Sequence, residues 1–197
     1  MHLHVSLEDI QLLAGKEGDD EARRILPLLS SWAESRESRQ AVFHAGQALR
    51  AAKKCPSYTL RDSLAISIYH ASVVFWSYAV VLKSLSFAEK TKLSSQQNMP
   101  DGPKSPLIRL DGDETRELQR FLVLGKGIPV ISPWLEGEGR DDAQQVPLSD
   151  PKAVMTVIIN VLRKKNGLED KGCPPLVENL SKLMRSLGNA AKGVGTS

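Results

Sequence analysis

Apolar residues recur at the spacing of an α-helix along most of the chain, and the longest apolar run raises the main question about the fold. This run, LAISIYHASVVFWSYAVVL at 64–82, contains no formally charged residue. A helix of about 19 residues is roughly 28 Å long, close to the thickness of the hydrocarbon layer of a bilayer. A histidine near the midplane of a lone membrane span is costly, however, and a stripe of mostly small polar side chains follows one side: Ser63, Ser67, His70, Val74 and Ser77. The run is therefore predicted to be the central helix of a bundle, closely approached along this stripe.

Two amphipathic helices are predicted ahead of this run. The first begins at Asp19 or Asp20 and carries apolar side chains on one side: Ile25, Leu28, Leu29 and Trp32. A break at 34–37 separates it from a second helix, which begins near Ser38 and ends before Pro56. The buried face predicted for the second helix consists of Val42, Ala45, Leu49 and Ala52. The long apolar helix then extends from 59–62 to about Glu89.

Three more helices are predicted towards the C-terminus. LDGDETRELQRFLVLG contains a capped helix that Gly125 stops and that turns Leu118, Phe121 and Leu122 inward. The following GIPVISPW is extended. In SDPKAVMTVIINVLRKKNG, Ser149 or Asp150 caps a helix that opens with Pro151 and is stopped by Gly167. The last helix, PPLVENLSKLMRSLG, has an apolar stripe of Leu176, Leu180, Leu183 and Leu187.

These patterns predict an all-α protein, an irregular helical bundle around a long central apolar helix with little or no β structure. The predicted organisation is a flexible N-terminal segment at 1–18, a single helical domain at 19–191 and a disordered tail at 192–197. Exposed loops are expected at 91–108 and 136–146, because these stretches are polar and rich in glycine or proline. No repeat at a fixed period is visible in the sequence.

Charge and cysteine content exclude several classes. Lys and Arg total 26 against 23 acidic residues, and the net charge of +3 does not indicate a nucleic-acid-binding surface. Cys55 and Cys173 stand far apart, so they predict neither a disulfide framework nor a structural zinc site. The N-terminus lacks the pattern of a secretory signal, which predicts an intracellular location.

Each candidate for metal or acid–base chemistry has a simpler structural explanation. His2 and His4 form a potential metal pair, but a chain end without further ligands favours a frayed terminus. His44 and His70 are each predicted to be buried or half-buried and hydrogen-bonded. The calcium pattern at Asp111, Asp113 and Thr115 has arginine at 116, where an EF-hand needs glycine, and leucine at 122 instead of glutamate, so helix capping is preferred.

The remaining motifs also fall short of a catalytic or binding signature. Gly125-Lys126-Gly127 resembles a fragment of a phosphate loop, but Ile128 and Pro129 follow instead of a helix. The basic clusters Lys53-Lys54 and Arg163-Lys164-Lys165 suit nuclear import or, more simply, the C-terminal turns of helices. No nucleophile elbow or zinc-protease motif is present. The sequence therefore predicts no catalytic, cofactor-binding or metal-binding residue and a protein that is not an enzyme.

Five segments, in order, resemble one family. These are SRQAVFHAGQALRAAKK, LRDSLAISIYHASVVFWSYAVV, LDGDETRELQRFLVLGKGIPVI, VPLSDPKAVMTVIINVLR and PPLVENLSKLMRSLGNAA. They resemble the C-terminal regulatory region of fungal transcription factors that carry two-cysteine two-histidine zinc fingers, sometimes with a binuclear zinc cluster. The resemblance covers 28–191 and implies a helical fungal-specific transcription factor domain.

This resemblance implies a non-enzymatic, nuclear regulatory or interaction domain. Its expected partners are proteins, such as transcriptional co-regulators or a homologous chain, with no membrane contact. DNA and zinc are expected only through zinc modules that this sequence lacks, as in a C-terminal fragment, a truncated gene or a paralogue without fingers. The alternatives are a standalone helical interaction protein and a small-molecule-binding regulatory domain or enzyme.

Overall fold

The computed structural model describes residues 7–13, 17–56, 60, 62–93, 105–133, 145–166 and 174–190. Seven helices lie in these ranges: α1 (Leu7–Leu13), α2 (Asp19–Glu34), α3 (Arg36–Lys54), α4 (Asp62–Leu93), α5 (Arg116–Leu124), α6 (Pro151–Lys165) and α7 (Pro175–Ala190). Three short strands accompany them: β1 (Leu107–Arg109), β2 (Ile128–Ile131) and β3 (Val146–Pro147). The predicted class, a mostly all-α irregular bundle, is confirmed.

α4 is the central helix of the bundle. Every residue from 71 to 81 is buried, because α2, α3, α6 and α7 pack around this stretch. Trp76 Nε1 donates a hydrogen bond to the Leu187 carbonyl at 2.7 Å and thereby ties α4 to the end of α7. By length and composition, Asp62–Leu85 is the one helical stretch among the described residues that is suited to crossing a membrane, and most of its apolar window is buried inside the protein.

The polar stripe of α4 is covered along only half of its length. Val74 and Ser77 are buried, whereas Ser63, Ser67 and His70 are exposed. The Ser77 hydroxyl donates to the Val73 carbonyl at 2.9 Å, so its burial leaves no donor unpaired. The close approach predicted along the whole stripe is therefore wrong for its first half, because no neighbouring element in the described part of the chain covers that side of the first turns.

Several helix boundaries follow from local capping. Ser35 separates α2 from α3, and its hydroxyl accepts from the Ser38 N–H at 3.1 Å. Asp150 caps α6 in the same way, and Gly125 in the left-handed conformation ends α5. The predicted buried face of α3 is confirmed, since Val42, Ala45, Leu49 and Ala52 are all in the core.

The three strands form one small sheet in the order β1-β2-β3. β1 and β2 are parallel, with Leu107 paired to Ile128, and β3 runs antiparallel to β2. α5 forms the connection between the two parallel strands. The sheet reaches α3 closely, because a Cβ on Gly46 would lie 2.5 Å from the Leu110 carbonyl oxygen. A glycine at 46 is thus required for this contact.

The flexible segment predicted at 1–18 is wrong where α1 forms. Ile10 and Leu13 are buried in the core, and α1 packs against α2. A helix of seven residues is too short to be stable alone, so tertiary contacts hold it in place and local propensity does not indicate it.

The predicted loop bounds also change. α4 continues to Leu93 and β1 begins at Leu107, so the predicted loop at 91–108 overlaps both elements. Of the loop predicted at 136–146, only Gln145 and Val146 are described, and Val146 belongs to β3. The predicted tail at 192–197 lies outside the described residues.

α7 buries a different face from the one predicted. Its leucine stripe is wrong at two positions, because Leu176 and Leu183 are exposed. The face against α4 and α6 is made of Val177, Leu180, Ser181, Met184 and Gly188. Two small residues, Ser181 and Gly188, thus lie on the buried face beside three larger apolar ones. On α2, the predicted inward Leu28 is likewise exposed, whereas Ile25 and Leu29 are buried.

Candidate functional site

A buried ion pair joins α3 to the small sheet. Lys53 Nζ lies 2.5 Å from Asp111 Oδ2 and 2.6 Å from the Ser132 carbonyl oxygen, to which it donates. Asp111 also accepts from the Ser132 N–H, at 3.1 and 3.2 Å to its two oxygens. The two charged side chains are only 5% and 0% exposed. The pair therefore links the end of α3, the turn after β1 and the residue after β2.

The electrostatics of this pair are those of a closed structural contact. Burial lowers the pKa of Lys53, while the charge and hydrogen bond of Asp111 oppose that shift. Arg109 Nε stands 3.5 Å from Asp111 Oδ1 and adds a second cation on the outer side. Lys53 and Asp111 face each other inside the protein, so each side chain binds the other and the backbone of Ser132.

The turn after β1 is held by further side chains of α3. Gln47 Nε2 donates to the Leu110 carbonyl at 2.9 Å, and Arg50 donates to the Gly112 carbonyl at 2.9 Å and pairs with Asp113. Lys53 follows one turn later on the same face of α3. Three polar side chains at i, i+3 and i+6 thus fix the position of the sheet on the bundle.

These contacts show what the acidic residues and the threonine at 111–115 do. Asp111 and Asp113 bind Lys53 and Arg50 and do not cap a helix. Thr115 does cap α5, since its hydroxyl accepts from the Leu118 N–H at 3.2 Å, and the capping prediction is confirmed for this residue alone. Lys53 lies in the last turn of α3, as predicted, but its side chain is buried and pairs with Asp111. A tertiary partner 58 positions away in sequence determines its role.

Both described histidines are on the surface. His44 lies beside Phe43 on α3, and His70 lies beside Tyr69 on α4. The prediction that they are buried or half-buried is wrong, because both are exposed. They occupy outward faces of helices whose opposite faces form the core. His2, His4 and Cys173 lie outside the described residues.

The other sequence candidates have structural roles. Gly125 and Gly127 both have positive φ, at 69° and 122°, and they turn the chain from α5 into β2. At Gly127 a Cβ would also lie 2.5 Å from Ile108, so the glycines serve the turn rather than a phosphate site.

Lys165 Nζ donates to the Cys55 carbonyl at 2.6 Å and joins the ends of α6 and α3. Within the described ranges, no group of three or more histidine, cysteine or acidic residues is arranged to hold a metal ion.

An exposed apolar surface adjoins the sheet. We define the β1–α5 patch as Leu107, Val123, Leu124 and Ile128, whose exposed fractions are 58%, 57%, 56% and 41%. Leu107 and Ile128 are register partners on parallel strands, so their side chains lie on the same face of the sheet. Three residues connect Leu124 to Ile128, which keeps their Cα atoms within about 14 Å. α5 also contacts β1, so the four residues belong to one region of the surface.

Sequence patterns contain a signal for half of this cluster. The run FLVL at 121–124 supplies four consecutive apolar residues to a short helix. A helix that packs against the core on one side only exposes part of such a run, because consecutive residues point about 100° apart. Once Leu118 and Phe121 face inward, Val123 and Leu124 must turn outward. Leu107 and Ile128 carry no comparable signal, since their place on one sheet face depends on the strand pairing.

Comparison with known protein families, with curated proteins and with solved structures finds no match to this chain. The geometry of the described residues and the pattern of the sequence are therefore the basis of a functional assignment.

Proposed function

We propose that this chain is a non-enzymatic helical regulatory domain of a fungal nuclear transcription factor and that it acts through protein contacts. The observation that carries the proposal is the β1–α5 patch, where four large apolar side chains are exposed on elements that contact one another. Clustered exposed apolar residues on a folded domain are typical of a protein–protein contact site. The ordered segments that resemble the fungal regulatory region support the nuclear, transcriptional context.

The rigid support of the β1–α5 patch also favours a binding role. The Lys53–Asp111 pair and the Gln47 and Arg50 hydrogen bonds hold the sheet in one position on α3. Arg39 holds the other side of the patch, because its guanidinium donates to the carbonyls of Leu122 and Val123 at 3.2 and 3.3 Å. A surface fixed in this way loses little conformational entropy when a partner binds.

A tethered reporter assay tests the proposal. The chain is fused to an unrelated DNA-binding domain in a fungal reporter strain, and expression is compared with that from the DNA-binding domain alone. We expect the fusion to change reporter expression and Leu107→Ser/Leu124→Ser to abolish the change. The matched control is Leu28→Ser/Leu183→Ser, which alters two leucines that are 68% and 50% exposed elsewhere on the surface. No effect of the wild-type fusion would refute a regulatory role.

A DNA titration tests the assignment of DNA contacts to another module. The purified chain is titrated against random duplex DNA at several salt concentrations. We expect at most weak, salt-sensitive association, since the chain carries a net charge of only +3. Tight, sequence-dependent binding would contradict the proposal that the DNA contacts belong to another module.

A further inference from the structure

We infer that the β1–α5 patch binds a short amphipathic peptide segment in which acidic residues stand beside large apolar ones. This inference rests on the proposed function and names the class of partner for the same surface. Two properties of the surface support it, namely the size of the apolar cluster and the distribution of charge around it.

The size of the cluster fits a peptide better than a large globular partner. Four side chains that are each about half exposed offer an apolar area on the order of a few hundred Å². A standard interface between two folded proteins takes about 800 Å² from each partner. An amphipathic helix of a few turns presents three or four apolar side chains on one face, which matches the number in the β1–α5 patch.

The charges next to the cluster are positive. Arg120 precedes Val123 by three residues and Leu124 by four, so it lies beside both on the surface of α5. Lys126 is exposed in the connection to β2, and Arg109 shares the outer face of the sheet with Leu107. The cations on this side therefore border the apolar side chains directly.

Three of the nearby acidic groups lie beside cations of the protein itself. Asp111 is paired with Lys53, and Asp113 is paired with Arg50. Glu117 stands three residues before Arg120 and directly after Arg116, so its charge is opposed by those two cations. Glu114 precedes the helix. Gln119 donates to Glu114 at 3.4 Å. Arg109, Arg120 and Lys126 therefore outnumber Glu117 beside the patch, and this excess of cations complements a partner with carboxylates beside its apolar face.

An anionic membrane shares this chemistry, but the exposure of the patch favours a peptide. Insertion into a bilayer requires apolar side chains that project beyond the surrounding surface. Leu107, Leu124 and Ile128 each keep about half of their surface against the protein, so they project little. A peptide side chain, in contrast, reaches down to them.

Fluorescence polarisation with designed peptides tests the inference on the full chain. The probe is a labelled helical peptide with leucine and phenylalanine at i, i+3, i+4 and i+7 and aspartate or glutamate elsewhere. Two comparison peptides carry lysine for every acid, or serine for every apolar residue. We expect only the acidic, apolar peptide to bind and its affinity to fall as salt is raised.

Variants of the protein locate the binding site. We expect Leu107→Ser/Leu124→Ser to weaken binding of the acidic probe by about tenfold or more, and Arg120→Glu/Lys126→Glu to do the same. The matched controls are Leu28→Ser/Leu183→Ser for apolar area and Arg163→Glu/Arg185→Glu for charge, and both should bind like wild type. Circular dichroism confirms that each variant keeps its helical content. Equal loss in the controls and patch variants would overturn the assignment of the site.

Three outcomes overturn the inference. The first is a lysine peptide that binds as well as the acidic probe, and the second is failure of the acidic probe to bind the wild-type chain. The third is patch-dependent co-sedimentation with vesicles of phosphatidylcholine and phosphatidylserine but no peptide binding, which would assign the patch to a membrane. If the acidic probe does not bind but Leu107→Ser/Leu124→Ser still abolishes the effect of the reporter fusion, the acidic peptide is rejected and the proposed function survives. A silent reporter fusion refutes the function itself.

Discussion

At the scale of single residues, the Lys53–Asp111 pair is held both by its own contact and by the backbone of Ser132. Removing two charges from water is costly, and their attraction offsets that cost only where the remaining donors and acceptors are also bonded. Here the Ser132 backbone supplies both an acceptor for Lys53 and a donor for Asp111. This geometry favours one position of the sheet on α3, because any other position of the sheet would leave a buried charge unpaired.

Removal of one partner should therefore be severe. We expect Lys53→Met to lower the free energy of unfolding by about 3–5 kcal/mol, because it leaves the Asp111 carboxylate buried without its cation. Urea denaturation measures the loss. Lys152→Met, at an exposed position of α6, serves as the control and should stay within about 0.5 kcal/mol of wild type.

The double variant Lys53→Met/Asp111→Asn distinguishes pairing from packing. Its loss should be smaller than the sum of the two single losses by about 0.5–3 kcal/mol, since the uncompensated charge is gone. Additive losses would contradict a direct interaction between the two side chains.

Tyr78 gives the chain a pH-dependent stability at alkaline pH. Its ring packs edge-on against Trp32 with centroids 6.3 Å apart, and burial raises its pKa above the ordinary value of 10.0, opposed in part by the charge of Arg39. Below pH 10.0 the phenol is neutral in both folded and unfolded chains. As the pH rises through 10.0, the unfolded chain ionises first, so this contribution to stability is lost.

Tyr78→Phe should reduce the alkaline loss of stability. The free energy of unfolding, measured by urea denaturation from about pH 8 to about pH 11, should fall less steeply in the variant than in wild type. Tyr69→Phe is a useful comparison, because burial also raises the pKa of Tyr69 but that side chain is only partly covered. A steeper fall in Tyr78→Phe would show that the sign is wrong.

At the scale of elements, a single glycine decides how closely α3 approaches the sheet. Gly46 lets α3 touch the turn after β1, and Gly188 lies where α7 meets α6. The two glycines differ in the room available for a methyl group. A Cβ at 46 would lie 2.5 Å from the Leu110 oxygen, whereas a Cβ at 188 would meet Met155 at an ordinary 3.5 Å.

Alanine should therefore have opposite effects at these two positions. We expect Gly46→Ala to destabilise the fold by about 1–3 kcal/mol, because the turn after β1 must move away from α3. Gly188→Ala should stabilise it by about 0.5–1 kcal/mol, since alanine loses less backbone entropy in a helix. Thermal denaturation of both variants measures the difference, and equal effects would contradict the contact geometry.

The central helix provides a test of packing around α4. Ala71 is buried at the start of the fully covered stretch. We expect Ala71→Leu, although apolar, to lower stability by about 1–3 kcal/mol through overpacking. Ser67→Leu, one turn earlier at an exposed position, should have little effect on the melting temperature. An unchanged melting temperature for Ala71→Leu would contradict close packing at this site.

At the scale of the whole molecule, one connected hydrophobic core joins all of the described helices. It extends from Ile10 in α1 through Trp76 in α4 and Phe121 in α5 to Met184 in α7. The sheet contributes Ile108 and Ile131 to the same core. The helices and the sheet therefore depend on one another for burial.

This shared core predicts a single cooperative unfolding transition. Far-ultraviolet circular dichroism and tryptophan fluorescence should give the same urea midpoint, because no part of the core can expose its apolar surface alone. Two separate transitions would show that the sheet and α5 unfold independently of the bundle.

The sequence by itself determined the features that depend on near neighbours along the chain. The apolar run at 64–82, the buried face of α3, a cap at Ser149 or Asp150 and the Gly125 stop all follow from local periodicity and local hydrogen bonds. The structure buries the run throughout 71–81, assigns the cap to Asp150 and confirms the other two. Such signals need no partner from elsewhere in the chain.

Only the tertiary structure decided the features that depend on distant partners. Local patterns place Lys53 at a helix end and Asp111 beside a helix start, and neither pattern contains their meeting across 58 residues. The same holds for α1, for the true buried face of α7 and for the grouping of Leu107 with Ile128. The physical reason is that burial and pairing are properties of the assembled chain. They determine both the Lys53–Asp111 contact and the exposed β1–α5 patch.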